Sequence, residues 1–141
     1  MMTRSELAAL IRIAFGGMVA EELYFGEPSS GVASDLQAAT NTACQMVGAC
    51  GMGQTLISAA AIQTPGLGNL AARVLASDAG RDEVEEVLGT AKADVVKLLA
   101  EHGHVVEALR DALLERDELV GDEIAHVILD ALAKDPLIAT A

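Results

Sequence analysis

Aliphatic residues recur every three or four positions along most of this chain and almost nowhere alternate. Leu7, Leu10, Ile11, Ala14, Phe15, Met18 and Val19 form one such series; Val84, Val87, Leu88, Ala91, Val95, Leu98 and Leu99 form another. That spacing gathers apolar side chains on one face of an α-helix, whereas a strand would need a period of two. Residues 56–62 are the one weak strand candidate. The expected fold is all-α, a compact, partly orthogonal bundle of five to seven helices. With one Tyr, two Phe and no Trp, its core must be built from Ala, Leu, Val, Ile and Met, which suit closely packed helices. A chain of 141 residues is long enough for one domain around one core.

Punctuation sets the helix limits. Thr3 and Glu6 fit a capping box for a helix over 4–24. Gly16-Gly17 lies mid-helix, at a cost of up to about 1 kcal/mol each against Ala. It implies either close approach by another backbone or a kink. Residues 26–31 read as a loop, followed by a helix starting near Asp35 with Ser34 as N-cap and ending near Gly48 or Gly51. Residues 53–80 form an irregular connector, with a loop over 64–68 and a short helix over 70–76. Acidic amphipathic helices follow over 82–102, 105–116 and 122–133, with Gly103 as an interruption and Pro136 as the final stop.

The formal net charge of −12 is uneven, −2 over residues 1–76 and −10 over the rest. Such a surface repels a phosphate backbone, so no nucleic-acid partner is expected. No uninterrupted apolar run reaches the roughly 18 residues of a transmembrane helix. The first residues lack the pattern of a secretory signal. A cytoplasmic location without direct membrane insertion is the expectation. Cys44 and Cys50 lie about 600° apart on a helix, hence on different faces, which argues for buried free thiols rather than a disulfide or a redox pair. His102, His104 and His126 read as helix-surface groups, and no G-x-x-x-x-G-K-[ST] nucleotide loop is present.

Three blocks of sequence carry a resemblance. The first is Gly16-Gly17-Met18-Val19-Ala20-Glu21-Glu22-Leu23-Tyr24-Phe25-Gly26. The second is Gly31-Val32-Ala33-Ser34-Asp35-Leu36, continuing to Gly51-Met52. The third includes Ala91-Lys92, Ala112-Leu113-Leu114-Glu115, Leu119, Gly121 and Glu123-Ile124. In this order and spacing they resemble the C-terminal helical part of the peptidase domain of FtsH-type, membrane-anchored, ATP-dependent zinc metalloproteases. The resemblance implies that Asp35 is the third zinc ligand. Family members take the other two from an H-E-x-x-H helix, which is absent from these residues, as is the ATPase module. It also implies that Glu21 or Glu22 supports the active-site helix; the alternative is an exposed last helical turn. For Asp35 the alternative is simple stabilisation of a helix N-terminus.

The chain departs from the family at Met18, Ala38, Asn41, Cys44, Gln45 and Cys50, positions where the family is more basic or, before Gly-Met, aromatic. No catalytic residue is assigned, no zinc is expected on the chain alone, and the chain by itself is expected to be inactive. Two readings compete: a piece of a longer protease acting on protein substrates, or a stand-alone inactive interaction module; a helical protein unrelated to proteases is the weaker third. Without the active-site helix, part of an apolar face would be bared, and homo-oligomerisation through Leu10, Ala14, Phe15 and Met18 is expected.

Overall fold

The computed structural model describes residues 1–61, 66 and 68–134. Six α-helices are present among them: α1 (Arg4–Phe25), α2 (Ala33–Gly48), α3 (Leu70–Leu75), α4 (Asp78–Glu101), α5 (Gly103–Arg116) and α6 (Asp122–Ala133). No described residue lies in a strand, and the weak candidate at 56–62 is irregular apart from a 3₁₀ turn at Ala59–Ala61. Ile62, most of the 64–68 loop and Pro136 lie outside the described residues. The all-α expectation holds. No helix among the described residues is long and apolar enough to cross a membrane.

The contact pattern divides the chain at 96/97 into two units. In the first, Thr3 and Glu6 form the expected capping box: the Glu6 amide donates to Thr3 Oγ1 at 3.3 Å and the Thr3 amide to Glu6 Oε2 at 2.7 Å. The Thr3 amide, and after it the Thr3 hydroxyl, which donates to the same Oε2 at 2.8 Å, hold the Glu6 carboxyl below its usual pKa. Helix α1 continues unbroken through Gly16-Gly17 and ends on Gly26, whose φ of 84° is the left-handed cap that glycine adopts without penalty. Leu7, Ile11, Phe15 and Val19 are its buried stripe.

Ala39, Ala43, Cys44, Met46 and Val47 of α2 pack into the same core, with Val74 of α3 and Val84, Leu88, Ala91 and Val95 of α4. Small residues permit this closeness. A Cβ on Gly48 would stand 2.2 Å from Cγ2 of Val74, so the end of α2 can meet α3 only with glycine there. Asn69 caps α3 by accepting the Ala72 amide at 2.9 Å. Helix α4 starts four residues earlier than its apolar period suggests. Ser77 Oγ accepts the Gly80 amide at 3.1 Å, and Arg81 ties the first turn to Asp78 and to the Leu75 carbonyl. Two ion pairs join α4 to α1: Arg12–Asp94 at 3.2 Å and Lys92–Glu22 at 2.7 Å.

The second unit is the end of α4 with α5 and α6. Gly103, expected as an interruption, is the first residue of α5. Asp117, at φ 61°, ends that helix. Glu123 accepts the Val120 amide at 3.0 Å and fixes the entry to α6. Val105 and Ala131 are the buried apolar residues of this unit.

Candidate functional site

Asp35 occupies the third position of α2, and the way α2 begins differs from expectation. Ser34 is not the N-cap. A 3₁₀ turn, Ser30–Val32, runs directly into the helix, the cap position is Val32, and no side chain caps it. The capping work falls one turn earlier, on Ser29, whose Oγ accepts the Gly31 amide at 3.2 Å. Ser29 is itself held from α1: Glu21 accepts both its amide and its hydroxyl, the latter at 3.1 Å. A hydrogen-bonded relay therefore runs from Glu21 through Ser29 to Gly31, in the 3₁₀ turn that leads into α2. Beyond it Asp35 is exposed, and its carboxylate makes no hydrogen bond or ion pair among the described residues.

Glu21 and Glu22, adjacent in sequence, diverge by about 100° round the helix. Glu21 secures the loop, and Glu22 pairs with Lys92. Neither lies unpaired on the last helical turn. Their partners Ser29 and Lys92 carry no pattern that sequence reasoning could have assigned; only the run Ser29-Ser30-Gly31 hinted at a turn residue with a hydroxyl. A cleft of about 880 Å³ lies along α1 and α4, its floor including Ile11 and Ala91 and its rim Arg4, Arg12, Glu83 and Asp94. Asp35 is not among its lining residues. Its rim charges are engaged: Arg12 with Asp94, Arg4 with the Met52 carbonyl and Glu83 with the Gln54 amide.

A zinc ion needs three or four ligands from Cys, His, Asp or Glu. Among the described residues no group of three such side chains is placed to hold a metal. Asp35 alone among the described residues does not fit the ion. His102 and His104 are half-buried rather than surface groups, with ring centroids 6.2 Å apart at the α4–α5 joint; His126 is exposed, as expected. Of the two thiols, Cys44 is buried and Cys50 exposed, which corrects the expectation of two buried ones. Burial pushes the Cys44 thiol up from its ordinary pKa.

The self-association set needs a correction too. Phe15 is 4% exposed. It belongs to the core with Ile11 and Val19 and cannot line an open face. Leu10 is exposed, while Ala14 and Met18 are half-buried.

Comparison with known proteins bears on this arrangement. The ATP-dependent zinc metalloprotease FtsH 3 of Conexibacter woesei is 35% identical over 118 residues, covering 80% of this chain and 16% of the relative. FTSH 9, chloroplastic/mitochondrial, of Oryza sativa subsp. japonica is 36% identical over 129 residues, covering 90% of the chain and 16% of the relative. FtsH 2 of Symbiobacterium thermophilum is 35% identical over 128 residues, covering 89% and 22%. This chain thus spans under a quarter of the length of these relatives. The family model for peptidase family M41 matches residues 1–127. That match takes in α1, the Asp35 turn, the α4 ion pairs and most of the acidic helices, so the blocks read from the sequence and the folded elements agree: the chain belongs to peptidase family M41.

Proposed function

We propose that this chain is the helical part of a zinc metallopeptidase domain that presents Asp35 as one metal ligand, and that it is inactive by itself. The observation that carries this reading is the exposed, uncommitted Asp35 carboxylate just beyond the Glu21–Ser29–Gly31 relay. A carboxylate kept only to stabilise a helix N-terminus would not need its loop secured from a second helix. Glu21 is then a positioning residue that sets the start of α2, and Glu22 with Lys92 holds α1 against α4. When bound, zinc would supply an activated water in such a site. This chain contributes one carboxylate and the packed helices behind it. Protein substrates and a cytoplasmic location belong to the same reading.

Two experiments test it. In a calorimetric zinc titration, the chain alone is expected to bind no stoichiometric metal. Stoichiometric zinc that is lost in Asp35→Ala would overturn the expectation that the chain alone holds no metal. In a chimera, residues 1–127 replace the matching segment of one of the relatives. The chimera is expected to degrade an unfolded protein substrate, and Asp35→Ala is expected to abolish this; unchanged activity in Asp35→Ala would sink the ligand role. The second reading, a stand-alone inactive interaction module, is favoured by the exposed apolar side chains of α1. It predicts a well-folded chimera without activity.

A further inference from the structure

The joint between α4 and α5 carries two histidines that the Asp35 site does not use. His102 lies between the helices: its amide donates to the Leu98 carbonyl at 3.0 Å, and its carbonyl accepts the Val105 amide at 2.9 Å. His104 follows in the first turn of α5. Helical hydrogen bonds thus fix the backbone that carries the pair, and both rings are half-buried. Nδ1 of His102 and Nε2 of His104 are shut off from solvent. His102 Nδ1 has no hydrogen-bond partner among the described residues, the neighbouring imidazole included. A buried ring nitrogen left unpaired costs free energy that a bound ligand recovers.

The ring centroids stand 6.2 Å apart, with the ring planes tilted by 57°. An ion bound between two imidazoles, at bonds of about 2 Å, holds their centroids roughly 6 Å apart when the rings oppose each other and about 5 Å apart when they meet at a tetrahedral angle. The observed spacing is that of opposed rings. We propose that His102 and His104 form a two-coordinate site for copper(I), bound by His102 Nδ1 and His104 Nε2. Zinc needs three or four ligands, and among the described residues no third Cys, His, Asp or Glu joins the pair. Copper(I), a soft filled-shell ion, is stable between two opposed nitrogen donors, and imidazole suits copper. Each ring binds as the neutral tautomer with its proton on the other nitrogen, so no proton is displaced. Entry is through a cavity of about 550 Å³ between α5 and α6, which His104 lines together with Asp111, Glu115, Asp130 and Lys134. Three carboxylates against one ammonium attract a cation. Bound copper ties the end of α4 to the first turn of α5, in the unit that buries the fewer apolar side chains.

Cys50 is exposed and competes for soft metals as a thiolate, so the test uses the full 141-residue chain in a Cys50→Ser background. Anaerobic titration with copper(I) against a colorimetric chelator is expected to give one ion per chain. X-ray absorption is expected to show two nitrogen neighbours and no sulfur. Copper(I) is diamagnetic, so imidazole NMR signals report on it directly. Those of His102 and His104 are expected to shift on saturation, and those of exposed His126 to stay. His102→Gln and His104→Gln are each expected to weaken binding about tenfold or more. Copper is expected to raise the thermal midpoint of the Cys50→Ser chain and of neither glutamine variant. Absence of stoichiometric copper, sulfur among its neighbours, or unmoved His102 and His104 signals would overturn the proposal. If a glutamine variant fails to fold, the NMR result on the Cys50→Ser chain decides. Neither the metal nor the residues are those of the Asp35 site, so failure here leaves that reading standing.

Discussion

At the scale of single residues, exposure decides chemistry that identity leaves open. Cys44 and Cys50 are the same side chain six positions apart, yet only Cys50 meets solvent. A thiol reagent at neutral pH is expected to label Cys50 at once and Cys44 only on unfolding, because burial raises the Cys44 pKa and keeps it a thiol. The linkage follows the same sign: the folded state favours the protonated form, so alkaline pH above the ordinary thiol range removes stability through Cys44. Equal labelling rates in the native protein would contradict this. Phe15 is the companion case. With its ring in the core, Phe15→Ala is expected to cost about 3–5 kcal/mol of unfolding free energy in a denaturant titration, whereas a surface ring would cost little. Asp35 was legible as a candidate because its motif resembles a known one. Its exposure was not, since which side chains come near it depends on how the helices pack.

Within elements, the two kinds of glycine in these helices behave oppositely. Gly89 of α4 has open space around its missing side chain, whereas Gly48 is pressed by the stiff side chain of Val74. Gly89→Ala is expected to stabilise by about 0.5–1 kcal/mol through helix propensity. Gly48→Ala should destabilise by about 1–3 kcal/mol despite the same propensity gain, because overpacking wins. Thermal unfolding of the two variants checks both signs. At the start of α1, Thr3→Ala removes one half of the capping box and is expected to lower the melting temperature at neutral pH. Glu6 has a lowered pKa in the folded state, so its contribution is present above the unfolded carboxyl value and is lost as pH falls through the folded one. The difference between Thr3→Ala and the parent should therefore narrow in acid; a constant gap would count against the box.

For the molecule as a whole, the two units differ in what they bury. Residues 1–96 hold fourteen of the buried apolar side chains, drawn from four helices, whereas 97–134 hold Val105 and Ala131. Local opening follows buried apolar content. Amide hydrogen exchange is expected to be slowest in α1 and α2 and faster in α5 and α6. The reverse order would show that α5 and α6 draw stability from something other than their own core. The acidic charge of the later helices adds self-repulsion in the same direction, and raising the salt concentration should slow exchange there more than in α1.

The sequence by itself determined the helical class, the span of α6, most of α1 and the family, because apolar period, capping pairs and motif order are local properties that survive without a partner. Tertiary structure alone decided the rest. Ser29 displaced Ser34 as the cap because Glu21 was near enough to hold it, and α4 began early because Ser77 and Arg81 could reach its first turn. Phe15 went inward while Ile13 stayed out, because a helix that is apolar on both faces offers no local reason for either choice. That choice belongs to whichever neighbouring helix arrives, and here α2 and α4 share the core with the Phe15 side.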